Sequence, residues 1–284
     1  MSISIASSAM LVELNISTWT ARKLDKSVTE EVNTTKHASK QAARVNKNLL
    51  AGSSELERIH NLASEIHTWV RLRTMPWSDT GSRLIPTAGF FEFKEEMNKY
   101  EDEFDRRVGV FVQQYPNLIA GQAFKLGAMF SRNDFPSQDV IRGKFNFTLT
   151  FSPVPSAGDF RVDIGTEAEK ALREQYEQAY NDRVDSAMDG IRQRLRTSLE
   201  HLSDRLGYEG GNKKVFRNSM IENLKQVLVS ADLMNLVDDE ELRETRDKVE
   251  QLIDSVTAKE LRKNDHIRED VKSRVDGILD KFTF

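Results

Sequence analysis

The sequence predicts an α+β protein that is predominantly α-helical, with a small antiparallel sheet of about three strands packed by helices. Four Ser/Thr-x-x-Glu capping boxes precede segments with apolar residues at helical spacing, which predicts several helices. Residues 144–151 alternate strictly between apolar and polar side chains, which is typical of a half-buried strand. Residues 166–206 carry one apolar stripe, which predicts a long helix and a helical C-terminal half.

Composition and charge restrict the classes of function. The 284 residues include 41 basic and 45 acidic side chains, for a net charge of −4, so a nucleic-acid or membrane partner requires a local patch. The chain has no cysteine, which excludes disulfides, thiol catalysis and cysteine zinc sites and suits a reducing cytoplasm. No run approaches the roughly 20 apolar residues of a membrane span. The opening residues lack a signal peptide.

Residues 10–130 are predicted to form one strand and four helices. Alternating apolar residues over 10–16 predict the first strand. Capping boxes at Ser27 and Ser54 predict helices over residues 27–50 and 54–73. The Pro- and Gly-containing segment 74–86 predicts a loop. Residues 91–115 predict a helix that ends before Pro116, and residues 118–130 predict a shorter one.

The strand over residues 144–151 is expected to pair with a second alternating segment, residues 160–164, and the first strand completes the sheet. Twelve of the fifteen phenylalanines lie between Phe90 and Phe160. Because aromatic side chains have the largest burial per residue, the main core is predicted there. Residues 1–165 therefore form a predicted α+β body with an aromatic core.

Residues 166–284 form a predicted helical region with a long amphipathic helix at residues 166–206. Such a helix is roughly 60 Å long at 1.5 Å per residue, which suggests a coiled-coil or interhelical seam. We assign the seam of a homo-oligomer to Val184, Met188, Ile191, Leu195, Leu199 and Leu202. Three further helices are predicted over residues 216–228, 239–256 and 258–282.

No motif supports a catalytic, metal or cofactor site. The phosphate-binding loop, the dinucleotide-binding glycine motif and the hydrolase nucleophile elbow are all absent from the sequence. Asp79-Thr80-Gly81 matches the tripeptide of aspartic proteases, but that chemistry needs two carboxylates on loops after apolar strands. A turn with Gly81 at positive φ is the favoured interpretation. His60 and His67 share a predicted helix but lack a third metal ligand.

Two features leave a nucleic-acid interpretation open. Lys36, Lys40, Arg44 and Lys47 make a basic stripe on the predicted helix over residues 27–50, which could follow a phosphate backbone. The alternative is a solvated face near a helix C-terminus. Residues 142–147, Arg-Gly-Lys-Phe-Asn-Phe, are similar to a basic-aromatic strand on which bases stack, although a core strand is favoured.

Several short sequence segments resemble those of a family of phage and prophage proteins that is described only as a domain of unknown function. They are Leu14-Asn-Ile-Ser-Thr-Trp-Thr-Ala-Arg-Lys-Leu-Asp25, Met75-Pro-Trp77 with Gly81 and Arg83, and Pro153-Val-Pro155 with Gly158-Asp-Phe-Arg161. The resemblance extends to about residue 223 and fades in the acidic tail. Genes of this family often lie near those of a MoxR-type AAA+ ATPase and a cobaltochelatase-like von Willebrand A protein. The resemblance therefore implies a phage context and an ATPase partner, and it supplies no catalytic residues.

We expect a non-enzymatic phage-encoded assembly or adaptor protein in the cytoplasm of the infected bacterial host. It would self-associate, partner a AAA+ ATPase or von Willebrand A protein, or do both. One alternative is a single-stranded nucleic-acid-binding protein of phage DNA metabolism. A further alternative is a virion structural component.

Overall fold

The computed structural model describes residues 8–78, 81–155 and 166–281, which are mostly helical with a small antiparallel sheet. The predicted α+β class is confirmed. The chain forms two compact units. Unit 1 comprises Met1–Glu13, Trp69–Phe93 and Thr150–Phe284, and unit 2 comprises Leu14–Thr68 and Lys94–Leu149. The predicted domain boundary at residues 165 and 166 falls at the edge of a segment outside the described residues and stays a prediction.

The strands are β1 (Ala9–Ser17), β2 (Arg22–Leu24), β3 (Asn46–Asn48), β4 (Met75–Pro76), β5 (Arg83–Pro86), β6 (Asn146–Pro153), β7 (Tyr208–Glu209) and β8 (Asn212–Lys213). The helices are α1 (Lys26–Thr35), α2 (Ser54–Arg73), α3 (Phe90–Leu126), α4 (Gln138–Arg142), α5 (Thr166–Leu206), α6 (Asn218–Met234), α7 (Glu240–Asp254), α8 (Ala258–Lys263) and α9 (Asp265–Leu279).

The main sheet has four strands in the order β4-β5-β1-β6. β5 is antiparallel to both neighbours, with Leu84 opposite Met75 of β4 and Leu11 of β1. The predicted loop over residues 74–86 is therefore wrong, because it contains β4 and β5. Its Met75, Leu84 and Ile85 side chains are buried, and this burial stabilises strands where the sequence shows turn residues. The predicted strand over residues 160–164 lies outside the described residues.

In unit 2, the helix predicted over residues 27–50 is wrong in extent, because α1 ends at Thr35. Asp25, not Ser27, is the N-cap, and its carboxylate accepts hydrogen bonds from the Val28 amide at 3.2 Å and the Ser27 hydroxyl at 2.8 Å. The buried Asn33 side chain accepts a hydrogen bond from the Ala43 amide at 3.1 Å. This contact holds the chain after the helix in a non-helical path, because an asparagine side chain competes with helical hydrogen bonds.

Helix α3 continues through Pro116, although the sequence predicted a break there. Proline lacks an N–H, so the carbonyl four residues earlier loses its helical partner. That carbonyl belongs to Val112, and it accepts a hydrogen bond from Gln138 Nε2 at 2.7 Å. The side chain of Gln138 therefore replaces the missing backbone donor.

The alternating strand β6 packs on α3 within unit 2. The Phe145 ring lies 5.5 Å from that of Phe111, and the Phe147 ring lies 5.9 Å from that of Phe104. Of the four apolar residues that alternate on this face, Phe145 is buried, whereas Phe147, Leu149 and Phe151 are half-buried. The strand is thus part of the aromatic core of this unit.

In unit 1, α5 begins and ends at the predicted residues, and Gly190 does not interrupt it. It packs against α6 and α9 and contacts β4. The predicted seam residues are each at most 8 % exposed within this single chain: Val184, Met188, Ile191, Leu195, Leu199 and Leu202. The chain's own elements cover this part of the stripe, whereas Leu172 and Tyr176 at its N-terminal end are half-buried. The predicted seam residues thus pack within one chain, and self-association stays a prediction.

The helix predicted over residues 258–282 is two helices. Thr257 forms the predicted capping box with Glu260 at the start of α8. Asn264 ends that helix and caps α9, because its side chain accepts hydrogen bonds from the amides of His266 at 3.0 Å and Ile267 at 3.2 Å.

Candidate functional site

The four basic residues proposed for nucleic acid do not form one helical stripe. Lys36, Lys40 and Arg44 are exposed but lie beyond the end of α1, so their four-residue spacing does not align them. Lys47 lies on β3, and its side chain is 9 % exposed. Lys47 is therefore largely buried, whereas the other three basic residues are exposed to solvent.

Lys47 belongs to a polar cluster inside unit 2. Its Nζ lies 3.2 Å from a carboxylate oxygen of Asp25 and 2.6 Å from one of Asp134, and it donates to the Met129 carbonyl at 2.8 Å. The hydrogen bond with Asp134 raises the pKa of Lys47. Hydrogen bonds from Ser27 and Val28, together with Lys47, lower the pKa of Asp25 to about 2. The ammonium group of Lys47 is already engaged by Asp25, Asp134 and the Met129 carbonyl, so Lys47 stabilises the fold of this unit.

The residues weighed for proteolysis and metal binding show no assembled site in the described part of the chain. Asp79 and Thr80 lie outside the described residues, and Gly81 has the expected positive φ of 105°. His60 Nε2 lies 2.9 Å from the Trp19 carbonyl. Among the described residues, no group of three or more His, Asp and Glu side chains could hold a metal ion.

Unit 1 contains an open pocket of about 260 Å³ that the sequence did not indicate. It lies at the end of α2, at β5, at the start of α3 and along α6. We call it the Trp69 pocket. Its lining consists of Trp69, Arg73, Ile85, Pro86, Gly89, Glu92, Phe93, Lys225, Gln226, Val229, Ser230, Leu233 and Met234.

One wall of the Trp69 pocket is aromatic. The rings of Trp69 and Phe93 are 5.2 Å apart, and Phe93 is backed by Phe151 at 6.3 Å. Phe151 in turn contacts Phe90 at 5.1 Å. The guanidinium of Arg73 lies 4.2 Å from the Trp69 ring centroid, within the range of a cation–π contact. Because each ring is held by the next, this wall is preorganised for an apolar ligand.

Helix α6 forms the opposite wall. Val229 is 61 % exposed, which is high for a valine on a helix that packs in the core through its other face. Ser230 donates from Oγ to the carbonyl of Leu72 at 2.9 Å and thereby ties α6 to the end of α2. A Cβ at Gly89 would lie 3.7 Å from Leu233 Cδ1, an ordinary contact distance, so Gly89 and Leu233 approach each other closely at this side of the pocket.

Three charged side chains line the Trp69 pocket, namely Arg73, Glu92 and Lys225. Lys225 pairs with Asp254 at 2.6 Å, and both partners are more than half exposed. A solvent-exposed ion pair of this kind contributes little to stability. Lys225 can therefore leave Asp254 and pair with a carboxylate of a partner protein at little cost in free energy. The lining therefore combines an apolar surface with two cations and one acid.

Comparison of the chain with protein-family models, curated proteins and solved structures found no match. None of the helices in the described part of the chain combines the length and apolar composition needed to cross a membrane.

The sequence did not reveal the Trp69 pocket because its walls come from distant segments. Trp69 lies near the end of one helix and Phe93 near the start of the next, and the intervening segment was predicted to be a loop. The available signal was Val229, an apolar residue in α6 that does not share the buried face of Leu224, Val227 and Leu228.

Proposed function

We propose that the protein is a non-enzymatic adaptor or assembly protein that docks a partner protein in the Trp69 pocket. The observation that carries this proposal is the exposed Val229 opposite the aromatic wall of Trp69 and Phe93. A preformed apolar cleft with a few polar groups at its edge is the usual form of a binding site. Interface energy concentrates where an aromatic or aliphatic anchor fills such a pocket.

The proposed occupant is an apolar side chain of a partner protein, flanked in its sequence by Asp or Glu. A pocket of about 260 Å³ is at the small end for ligand sites, which suits one or two side chains better than a cofactor. The lining has two positive side chains, Arg73 and Lys225, and one negative side chain, Glu92. This net positive charge favours a partner with carboxylates next to the apolar side chain that enters the pocket.

The resemblance to phage proteins makes a MoxR-type AAA+ ATPase, or its von Willebrand A companion, the first partner to test. Under this proposal the protein works in the cytoplasm of the infected host. It acts through complementary shape and charge, with no bond made or broken.

The test is a selection of random peptides displayed on beads against the purified chain, followed by sequencing and affinity measurement. We expect enriched peptides to contain one large apolar residue with Asp or Glu within a few positions. Val229→Lys should weaken their binding at least about tenfold, because a charged side chain then occupies the mouth of the pocket.

Val215→Lys is the matched control, since Val215 is 69 % exposed in the same unit and does not line the pocket. It should bind the selected peptides as the wild-type chain does. Failure to enrich any peptide would overturn the proposal. Enrichment of peptides that bind the Val229→Lys variant unchanged, or that are rich in Lys and Arg, would also contradict it.

A further inference from the structure

Two arginine side chains converge on the residue that follows α2. Arg83 of β5 donates from Nε to Thr74 Oγ1 at 2.6 Å and from Nη2 to the Thr74 carbonyl at 2.9 Å. Arg194 of α5 donates from Nη2 to the same carbonyl, also at 2.9 Å. Because both Nη2 atoms contact one oxygen, they lie at most about 6 Å apart.

The residue on which they converge is fixed in place. Thr74 is fully buried, and its hydroxyl donates to the Val70 carbonyl at 2.6 Å in the last turns of α2. Arg194 also donates from Nη1 to the Leu72 carbonyl at 3.2 Å. The positions of the two guanidiniums are therefore set by four hydrogen bonds to rigid backbone and side-chain atoms.

A third cation lies nearby. Arg71 is exposed in the last turn of α2. Burial, together with the positive charges of Arg194 and Arg71, lowers the pKa of Arg83 to about 10. Burial also lowers the pKa of Arg194, with a second contribution from Arg71. Within the described ranges, no carboxylate pairs with Arg83 or Arg194, so only hydroxyl and carbonyl oxygens offset their positive charges.

The carbonyls at the C-terminal end of a helix can stabilise one nearby cation, but their partial negative charge is too small to balance three. They carry roughly half an elementary charge in total. The guanidinium of arginine has five N–H donors, and Arg83 and Arg194 each direct two of their nitrogen atoms at Leu72 or Thr74. Arg83 and Arg194 are half-buried and Arg71 is exposed, so none of the three side chains is sealed from solution.

We propose that Arg71, Arg83 and Arg194 form a binding site for a single phosphate dianion. Planar guanidinium groups recognise oxyanions through paired hydrogen bonds, and arginine is the residue of choice for this task. A carboxylate has one negative charge and two oxygens, which one arginine satisfies. Three arginines suit the higher charge and greater number of oxygens of phosphate. None of the three lines the Trp69 pocket, so the site stands independently of the proposed function.

The test is calorimetric titration of the full chain with inorganic phosphate at pH 7.5, with ionic strength held constant by sodium chloride. We expect saturable binding by the wild-type chain. Arg83→Gln and Arg194→Gln should weaken it at least about tenfold, the loss of one charge-assisted contact. Because these two also stabilise the end of α2, Arg71→Gln is the variant that tests the site with the fold intact.

Arg196→Gln is the matched control, since Arg196 lies on the same helix as Arg194 and pairs with Glu200 at 3.0 Å. It should bind phosphate as the wild-type chain does. Absence of saturable binding by the wild-type chain would overturn the proposal, as would equal affinity in Arg71→Gln. Acetate binding as tight as phosphate binding would show a carboxylate site instead and contradict the phosphate assignment.

Discussion

Replacement of Arg268 by Met should destabilise unit 1 more than any exposed substitution. Arg268 of α9 is 1 % exposed. Its guanidinium donates to the carbonyls of Leu206 at 2.8 Å, Leu261 at 3.1 Å, Arg205 at 2.6 Å and Lys214 at 2.9 Å. One side chain thus satisfies carbonyls at the end of the long helix, at the end of α8 and beside the β7-β8 hairpin.

The magnitude follows from these four contacts. A hydrogen bond to a charged group contributes about 1.5–3 kcal/mol, and a buried carbonyl left without a partner costs about 1–3 kcal/mol. Methionine retains much of the packing and removes the cost of burying a charge, which offsets part of the loss. We expect a net loss of about 4–5 kcal/mol in the free energy of unfolding, which is exceptional for one substitution.

Urea unfolding followed by circular dichroism measures this loss. With an m-value of about 3 kcal/mol/M, the midpoint should fall by about 1.5 M. Arg274→Met is the control on the same helix, because Arg274 is exposed and its guanidinium is 3.9 Å from Asp270. It should shift the midpoint by less than about 0.2 M. An equally small shift for Arg268→Met would refute the claim that Arg268 holds these segments together.

Three further substitutions test other parts of the structure. Leu195→Ala, at a fully buried position of α5, should cost about 2–5 kcal/mol in calorimetric unfolding, and a loss below 1 kcal/mol would contradict the burial of the stripe. Gln138→Ala should lower the melting temperature by a few degrees, because the Val112 carbonyl opposite Pro116 loses its donor; an unchanged value would show that water replaces it. Since the folded pKa of Asp25 is about 2, below its usual 3.8, its ionisation stabilises the fold above about pH 4, and this contribution is lost as pH falls to about 2. Asp25→Asn should therefore weaken the pH dependence of stability in that window, and an unaltered acid-unfolding curve would contradict this.

The elements that sequence patterns predicted correctly are those with local signals. Helices α2 and α5 begin at the predicted residues and follow their apolar stripes to the predicted ends, although at α2 the hydroxyl of Ser53, not that of Ser54, accepts from the Leu56 amide. Helix α1 ended early because of the contact between Asn33 and Ala43, which no local pattern shows. Helix α3 continued through Pro116 because of Gln138, which lies in another helix.

The candidate sites depended on contacts between residues far apart in sequence. The sequence shows that Lys47 is basic, but its engagement by Asp25 and Asp134 follows only from the fold. The same holds for the Trp69 pocket, whose aromatic wall and Val229 come from three helices. Periodicity predicts which face of a helix is apolar, but it does not predict which apolar residue remains uncovered.

The most direct test of docking in the Trp69 pocket uses fluorine NMR on protein labelled with 5-fluorotryptophan. The chain has three tryptophans, and Trp19 and Trp77 are buried whereas Trp69 lines the pocket. The resonance of Trp69 is assigned from the spectrum of Trp69→Phe, and a peptide obtained by the selection is then titrated. Docking in the pocket predicts a saturable shift of the Trp69 resonance, with Trp19 and Trp77 unchanged. Binding of the peptide that leaves the Trp69 resonance in place would contradict it.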